Sequence, residues 1–239
     1  GLLVLGGGLE GLVELDGLSG NHVLEIMAHR PAGRQASWLG YPHSTGLSTI
    51  DHIILDPQLQ TELVLERPLL MPRSWVALPR SKFHDGHASA PLTPEARNGF
   101  LTFGTLNNPY KFTLDSLACW ARIVARHPGS KFLFARPEAG APSFQRGMRK
   151  RFEAEGVAPD RLLFGEERGR HMTYYNEIDI SLDTFPLTGG TTTAEALWMG
   201  VPVVSLVGEG VAERLSYSLL VNAGLADLAV GTVEAYEAT

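Results

Sequence analysis

From residue 99 onward, segments typical of strands alternate with segments typical of helices, and this alternation constrains the fold most strongly. Short β-rich runs such as "GFLTFG", "SKFLFARP" and "VPVVSL" are separated by stretches with a helical spacing of apolar residues, most regularly at 113–128. Strands separated by helices pair in parallel, because each helix crosses back over the sheet before the next strand begins. The sequence therefore predicts a doubly wound α/β domain with helices on both faces of a mostly parallel sheet.

The residues before position 80 predict the second half of a similar domain. Residues 11–17 and 51–57 are typical of strands, and "NHVLEIMAHRP" predicts a short helix. The following stretch, "PRSKFHDGHASAPLTPEARN", is rich in Pro, Ser, Gly, His and Ala and is typical of a linker. We therefore divide the chain into a first lobe at 1–79, a linker at 80–98 and a second lobe at 99–239.

Charge and residue content exclude several classes of protein. The chain has 26 acidic and 20 basic residues, so it lacks the basic excess of a nucleic-acid binder. No apolar run approaches the ~20 residues of a membrane span. The single Cys119 excludes an internal disulfide and fits a reducing compartment, so we expect a cytoplasmic protein. Because the chain starts without Met and without signal-peptide features, we expect a fragment or a processed form.

A glycine pattern near the start formally matches a dinucleotide-binding fingerprint. Gly6, Gly8 and Gly11 have the required spacing, and Glu25 stands at a plausible distance for a ribose contact. That fingerprint requires a helix to begin at its third glycine, whereas "LVELDG" follows here and is typical of a strand. We interpret this segment as a flexible or artefactual terminus instead.

The densest cluster of small and hydroxyl side chains lies where a predicted strand ends and a predicted helix begins. Its members are Gly189, Gly190, Thr191, Thr192 and Thr193. In a doubly wound sheet this edge binds ligands, since helix N-termini present free N–H groups and the positive end of the helix dipole. Glycines let an anion approach the backbone, and threonines add donors without charge, which suits a diphosphate. Glu195 could accept hydrogen bonds from a ribose. The alternative is a capping box formed by Thr192 and Glu195, and chemistry alone leaves both open.

Two further clusters follow predicted strands and would reach the same edge. In "TLNNPYKFT", Asn107, Asn108 and Lys111 are candidates, and a lysine there could neutralise charge on a departing phosphate; the alternative is a solvated loop lysine. In "GEERGRHMTYY", basic side chains could contact a base or ribose, although a lone histidine is often structural; they are Arg168, Arg170 and His171.

Metal and hydrolase motifs are missing from the sequence. There is no Asp-x-Asp, no HExxH, no Walker A run and no G-x-S-x-G elbow. A phosphate site without a metal motif or P-loop indicates group transfer from a nucleotide-activated donor rather than ATP hydrolysis. We expect no metal and no cofactor.

Three separated stretches together resemble the catalytic region of the protein O-GlcNAc transferases and their bacterial homologues. They are "SWLGYPHSTGLSTIDHIILDP", "FGTLNNPYKFT" and "DTFPLTGGTTTAEALWMGVPVVSLVGEGVAERLSYSLL". The similarity extends roughly from residue 11 to residue 227. It implies the GT-B fold, in which two Rossmann-like lobes flank a nucleotide-sugar cleft. It also implies inverting, metal-independent transfer of N-acetylglucosamine from UDP-N-acetylglucosamine to Ser or Thr hydroxyls of acceptor proteins.

The resemblance implies roles for single residues. Lys111 matches a lysine that stabilises the UDP leaving group, and His171 matches a histidine packed against the uracil. Asn108 stands in place of a donor-contacting Gln. Arg168, which replaces a lysine, and Glu195 would contact the ribose. Thr191 and Thr192 would bind the diphosphate, with Thr193 beside them. Gly190 departs from the pattern, because the animal enzymes have a histidine at this position. Tyr174 likewise stands in place of a basic residue.

The acceptor side is less defined than the donor side. By the family's pattern Pro42 and His43 lie in a cleft-facing loop, where His43 is either a general base or a structural turn histidine. The tetratricopeptide helices of the family and the first part of its N-terminal lobe are missing from this sequence. Transfer of fucose from GDP-fucose, N-glycosylation of Asn, and a non-catalytic nucleotide-sugar-binding lobe are the competing interpretations. The sequence leaves the oligomeric state open.

Overall fold

The computed structural model describes residues 2–5, 10–16, 23–40, 42–79, 83, 88–166, 169 and 171–239. The chain divides into two compact units, the first of Gly1–Leu78 with Gly208–Gly224, the second of Pro79–Val207 with Leu225–Thr239. The segment Gly208–Gly224 thus belongs to the first unit, whereas the sequence-based division had placed it in the second lobe.

Strands and helices follow each other along both units. The strands are β1 (Leu2–Leu5), β2 (Gly11–Glu14), β3 (Arg34–Ser37), β4 (His52–Leu55), β5 (Arg67–Leu70), β6 (Thr102–Thr105), β7 (Lys131–Ala135), β8 (Leu162–Gly165), β9 (Ile180–Leu182), β10 (Val203–Leu206) and β11 (Ala229–Val230). The α-helices are α1 (Leu24–Ala28), α2 (Pro94–Asn98), α3 (Leu114–Arg126), α4 (Pro142–Ala154), α5 (Thr191–Trp198), α6 (Leu215–Asn222) and α7 (Val233–Ala238). Short 3-10 helices lie at Pro109–Lys111, Pro137–Gly140, Pro159–Arg161, His171–Glu177, Val211–Glu213 and Ala226–Leu228.

The first unit is built on a five-stranded sheet in the order β1-β2-β3-β4-β5. All neighbouring pairs are parallel except β1 and β2, which are antiparallel. Leu2–Leu5 thus form a regular strand where the sequence analysis expects a flexible or artefactual terminus, and Gly6 and Gly8 of the glycine pattern lie outside the described residues. Gly11 opens strand β2, so no helix begins at the third glycine, as predicted.

A small apolar core joins helix α6 to the first sheet. Ile53 and Leu55 of β4 pack with Leu215 of α6 and with Trp75. The buried carboxylate of Asp56 reinforces this contact, because Oδ2 accepts hydrogen bonds from the Trp75 amide at 2.7 Å and from the Ser218 hydroxyl. These contacts are the physical reason why Gly208–Gly224 belongs to the first unit.

The second unit contains a six-stranded sheet in the order β11-β10-β9-β6-β7-β8, with every neighbouring pair parallel. Counted from its own first strand, this is the order 6-5-4-1-2-3 of a doubly wound nucleotide-binding domain, which confirms the predicted fold class. The strand order reverses between β6 and β9. In such sheets a crevice forms at this switch point, outside the carboxyl ends of the strands.

Aromatic side chains fill the core of the second unit. Trp120 of α3 stacks on Phe132 of β7 with ring centroids 5.4 Å apart, and both side chains are fully buried. Phe152 of α4 meets Phe132 edge-on at 5.4 Å. Burying rings of this size contributes about 1.5–3 kcal/mol per side chain, so this core fixes the strands whose ends carry the candidate site.

The start of helix α3 ties two loops of the second unit together. Thr113 and Ser116 form a capping box, with the Ser116 amide donating to Thr113 Oγ1 at 3.1 Å and the Thr113 amide to Ser116 Oγ at 3.0 Å. The Thr113 hydroxyl also donates to the carbonyl of Phe185 at 3.0 Å. The loop after β6 is thereby held against the loop after β9.

The end of the predicted linker belongs to the second unit. Helix α2 lies within it and is capped by Thr93, whose hydroxyl accepts from the Ala96 amide. Asn176 anchors the preceding residues, since its Oδ1 accepts from the Ala90 amide at 2.7 Å and its Nδ2 donates to the Ala88 carbonyl at 3.1 Å. Among the helices of the described ranges, none is long and apolar enough to span a membrane.

Candidate functional site

The loop after β6 presents polar side chains at the carboxyl edge, the edge of the six-stranded sheet where its strands end. Asn108 caps the 3-10 turn Pro109–Lys111, because its Oδ1 accepts from the Tyr110 amide at 3.1 Å. Pro109 suits the first position of the turn, where its missing N–H costs nothing. The turn places the Lys111 side chain toward the loop that precedes helix α5.

Lys111 is anchored to that loop. Its Nζ donates a hydrogen bond to the carbonyl oxygen of Thr188 at 2.7 Å. Burial lowers the pKa of the Lys111 ammonium, with the nearby Arg136 adding to the shift and the carboxylate of Asp183 opposing it. The site therefore holds a partly desolvated cation, which is hydrogen-bonded to the loop that leads into helix α5.

Helix α5 begins at Thr191 with Gly190 as its N-cap. The cap makes no side-chain hydrogen bond, and the first α-helical backbone bond runs from the Ala194 amide to the Gly190 carbonyl. The proposed capping box of Thr192 and Glu195 is therefore wrong: Thr192 lies inside the first turn, and its hydroxyl donates to Asn107 Oδ1 at 2.9 Å. Because the first-turn N–H groups of a helix have no intrahelical acceptor, this end of α5 can receive an anion.

Gly189 is required by the crowding around it. A Cβ atom added there would lie 2.3 Å from Thr193 Oγ1, 2.9 Å from Thr192 Oγ1 and 3.0 Å from Asp183 Oδ1. The first two distances are shorter than real Cβ contacts, and the hydroxyls concerned are held by the helix start. Gly189 thus allows the loop to pass directly over the end of β9.

Asp183 was missed by the sequence analysis, which names no acidic residue at the end of this strand. It directly follows β9 and is fully buried. Its Oδ1 accepts from Asn107 Nδ2 at 3.0 Å and from the amides of Thr184 and Gly189 at 2.9 and 2.8 Å, and its Oδ2 accepts from Ser205 Oγ at 2.7 Å. A signal was available, namely an acidic residue that ends an apolar strand at the predicted ligand-binding edge.

The other predicted donor contacts come together around Glu195. His171 opens the 3-10 helix His171–Glu177, and its Nε2 lies 3.3 Å from Oε1 of the buried Glu195. Tyr175 of the same helix donates from its hydroxyl to the Thr192 carbonyl at 2.9 Å, and burial raises its pKa. The histidine ring is half-exposed, so it can still meet a ligand. Arg168 lies outside the described residues.

The predicted acceptor-side residues belong to the first unit. Pro42 precedes His43, whose Nδ1 accepts from the Ser44 amide at 2.8 Å. The same loop is held by Glu66, whose Oε1 accepts from the Thr45 amide at 2.7 Å. The Ser44 amide therefore makes Nδ1 the accepting nitrogen of His43.

Within the ranges that the structure covers, no three or more His, Cys, Asp or Glu side chains form a group that could hold a metal ion. At the carboxyl edge, Lys111, Arg136 and the start of helix α5 contribute positive charge.

Comparison with known proteins identifies the family. The sequence pattern of glycosyl transferase family 41 matches residues 94–239. A probable UDP-N-acetylglucosamine–peptide N-acetylglucosaminyltransferase SPINDLY from Oryza sativa subsp. japonica is 37% identical over 234 residues, which are 94% of this chain and 25% of the relative. The corresponding SEC protein of Arabidopsis thaliana is 29% identical over 242 residues, covering 95% of this chain and 24% of its own length.

Solved structures agree with this result. An O-GlcNAc transferase mutant from Thermobaculum terrenum superposes with a TM-score of 0.87 at 34% identity, covering 96% of this chain and 44% of that one. The trehalose-6-phosphate synthase OtsA, at 14% identity, a TM-score of 0.50 and coverage of 88% and 60%, shares the fold alone.

The chain belongs to glycosyl transferase family 41 and has the α/β fold of the GT-B glycosyltransferases. It corresponds to catalytic-region sequence of the O-GlcNAc transferases and spans about a quarter of the length of the curated relatives it matches.

Proposed function

We propose that this chain carries the donor-binding part of a glycosyltransferase that moves N-acetylglucosamine from UDP-N-acetylglucosamine to Ser or Thr hydroxyls of acceptor proteins, with inversion and without a metal. The SPINDLY and SEC relatives are named as probable UDP-N-acetylglucosamine–peptide N-acetylglucosaminyltransferases and the Thermobaculum terrenum protein as an O-GlcNAc transferase, which supports the donor and the transferred sugar in this proposal. The lone, buried Cys119 supports a reducing, cytoplasmic setting.

One observation carries the proposal, namely the hydrogen bond from Lys111 Nζ to the Thr188 carbonyl. This bond holds a cation against the loop that leads into the first turn of α5. A diphosphate bound to that turn would meet the helix N–H groups and the lysine together, at the switch point of the sheet. His171 and Glu195 are then the candidates for the base and ribose contacts, and Asn108 for a sugar or phosphate contact.

The proposed reaction is a single displacement. The acceptor oxygen attacks the anomeric carbon from the face opposite the diphosphate, and the new C–O bond forms as the bond to the diphosphate oxygen breaks. The electron pair stays on UDP, while the hydroxyl proton passes to a general base. Lys111 and the first turn of α5 stabilise the negative charge that grows on UDP, so their contribution is largest in the transition state.

Calorimetry of the full-length protein tests the donor. UDP and UDP-N-acetylglucosamine should bind, whereas GDP and GDP-fucose should not. Binding of GDP alone would contradict the UDP assignment and favour the fucosyl alternative. The intact mass of acceptor proteins then tests transfer: an increase of one N-acetylhexosamine, lost after Ser or Thr substitution and unchanged by a chelator, is expected. Nucleotide binding without any mass change would favour a non-catalytic lobe, and modification of Asn an N-glycosyltransferase.

A further inference from the structure

We propose that Asp183 is a positioning residue for the diphosphate-binding loop, through its contacts with Asn107 and Gly189. This inference rests on the proposed function, because it assigns a role within the same site. Asp183 would not touch the substrate itself, since its side chain is fully buried and both carboxylate oxygens accept hydrogen bonds from the protein. Its role is to fix the groups that do.

The carboxylate connects three strands at their carboxyl ends. Asp183 follows β9, Asn107 follows β6, and Ser205 lies in β10. Asp183 Oδ1 accepts from Asn107 Nδ2 and Oδ2 accepts from the Ser205 hydroxyl, at 3.0 and 2.7 Å. One charged group therefore sets the spacing of β6, β9 and β10 at the point where the strand order reverses.

The same carboxylate holds the loop that leads into α5. Asp183 Oδ1 accepts from the Gly189 amide at 2.8 Å, six residues further along the chain. A hydrogen bond to an ionised acceptor is roughly twice as strong as one between neutral groups. Because Gly189 directly precedes the N-cap Gly190, this bond fixes the direction in which the first N–H groups of α5 point.

Asp183 also decides the orientation of the Asn107 amide. An ionised carboxylate only accepts, so the NH₂ group of Asn107 must face it and the amide oxygen must face away. That oxygen accepts the hydroxyl proton of Thr192 at 2.9 Å. Thr192 has one hydroxyl proton, which is thus committed to Asn107. We infer that a diphosphate is bound by the backbone N–H groups of the first turn, while the Thr192 side chain keeps that turn in place.

The backbone of Asp183 is held separately from its side chain. The Tyr236 hydroxyl donates to the Asp183 carbonyl at 2.8 Å and accepts from Trp120 Nε1 at 3.1 Å. Both aromatic side chains are buried in the core of the second unit. Substitution of the carboxylate therefore leaves the strand end anchored, and its effect should appear in the loop.

The test compares Asp183 with Asp179 at the other end of β9. Asp179 accepts from the backbone amides of Thr102 and Glu95 at 2.8 and 3.0 Å, so it is a carboxylate of the same sheet with a purely structural environment. The variants are Asp183→Asn, Asp183→Ala and the control Asp179→Asn in the full-length protein. The measurements are the dissociation constants of UDP and of uridine, which lacks the diphosphate.

For Asp183→Ala, loss of the loop contacts should weaken UDP binding by about tenfold or more, as expected for about 1.4 kcal/mol. Asp183→Asn should lie between Ala and the unsubstituted protein, because an amide oxygen still accepts from the N–H donors but carries no charge. Uridine binding should change less than about twofold in all variants, and Asp179→Asn should preserve the ratio of the two constants. An equal loss of UDP and uridine binding would overturn the positioning role, as would unchanged UDP binding in both Asp183 variants.

A second measurement separates this inference from the proposed function. If the protein binds GDP and guanosine instead, the UDP assignment fails, and the same ratio measured with those ligands decides the role of Asp183. If no nucleotide binds, the proposed function fails, and amide hydrogen exchange at Gly189 decides instead. Faster exchange in Asp183→Ala than in Asp179→Asn would support positioning of the loop, whereas equal exchange would overturn it.

Discussion

The two edges of the six-stranded sheet are both rich in polar groups, yet they differ in what these groups can do. At the amino edge, where the strands begin, Arg161 donates to the carbonyls of Ser130, Val124 and His127 at 2.6–2.8 Å. Two of these carbonyls lie at the end of helix α3, the negative end of its dipole, so the guanidinium there is bound by the protein itself. At the carboxyl edge, Lys111 lies beside the positive end of helix α5, where an anion would be stabilised.

This difference follows from chain direction. In a parallel sheet with crossover helices, helices finish near the amino edge and start near the carboxyl edge. Cations at the amino edge therefore meet the carbonyls of helix C-termini, whereas a cation at the carboxyl edge lies beside helix N-termini, where an anionic ligand is stabilised. Arg161 and Lys111 have the same charge, but Arg161 stabilises the end of a helix, whereas Lys111 lies where a bound anion would be stabilised.

Removing Lys111 should have the largest effect on the property that distinguishes the two edges, namely the stabilisation of a bound anion at the carboxyl edge. Lys111→Ala should lower the transfer rate by about 100-fold or more and weaken UDP binding by much less, because stabilisation of leaving-group charge counts mainly in the transition state. The control is Lys131→Ala at the amino edge, where the ammonium lies 4.3 Å from the Phe100 ring centroid. Steady-state kinetics check both. Equal rates for the two variants would remove Lys111 from the catalytic role.

Adding one methyl group at the carboxyl edge should have the next largest effect. Gly189→Ala should weaken UDP binding by about tenfold, since the new Cβ would displace the hydroxyls of Thr192 and Thr193. Gly147→Ala, in helix α4 with open space around the added atom, should instead stabilise the protein by about 0.5–1 kcal/mol. Calorimetry and thermal unfolding measure the pair. Full UDP affinity in Gly189→Ala would contradict the crowded geometry.

The charge state of Lys111 gives a pH-dependent prediction. Burial lowers its pKa, so the ammonium should lose its proton, and kcat/KM should fall, at a lower pH than for an ordinary lysine near 10.5. Lys111→Arg keeps a charge throughout this range, so its alkaline fall should be missing even if its maximal rate is lower. The pH profiles of the two proteins provide the comparison. An identical alkaline limb in both would assign that limb to another group.

The smallest effect is expected at the contact of α7 with α3, which contains none of the candidate ligand-binding residues. Burial raises the pKa of Glu237, but hydrogen bonds from Arg122 and Arg126 outweigh it and leave the pKa below 4.5. A carboxylate with a lowered folded-state pKa stabilises the fold above its unfolded pKa, and this contribution is lost as the pH falls. Glu237→Gln should therefore cost about 1 kcal/mol at pH 7 and less at pH 3, without changing UDP binding. Urea unfolding at both pH values checks the difference, and an equal cost at both would contradict the ion-pair explanation.

Much of the second unit could be predicted because its signals are local. The periodicity of residues 113–128 gave helix α3 within two residues at each end, and every strand predicted from residue 99 onward is present. The first unit was harder, because β5 contains Pro68 and all its residues are exposed, so no apolar alternation marks it as a strand. Residues 211–222 form two short pieces, Val211–Glu213 and α6, and both place apolar side chains in the cluster around β4.

The sequence by itself determined the doubly wound fold, the edge where ligands should bind and the glycine–threonine helix start. These features depend on residues that are close together in the sequence, namely on the alternation of strands and helices and on the residue types in the turns. Tertiary structure decided which groups meet there. Asp183 and Asn107 are 76 residues apart, and Lys111 and Thr188 are 77 apart, so only the parallel pairing of β6 with β9 brings them within hydrogen-bonding distance. The same pairing explains why Thr192, a candidate capping residue in the sequence, is hydrogen-bonded to Asn107 in the structure. A hydroxyl near a helix start donates to the acceptor that folding brings closest.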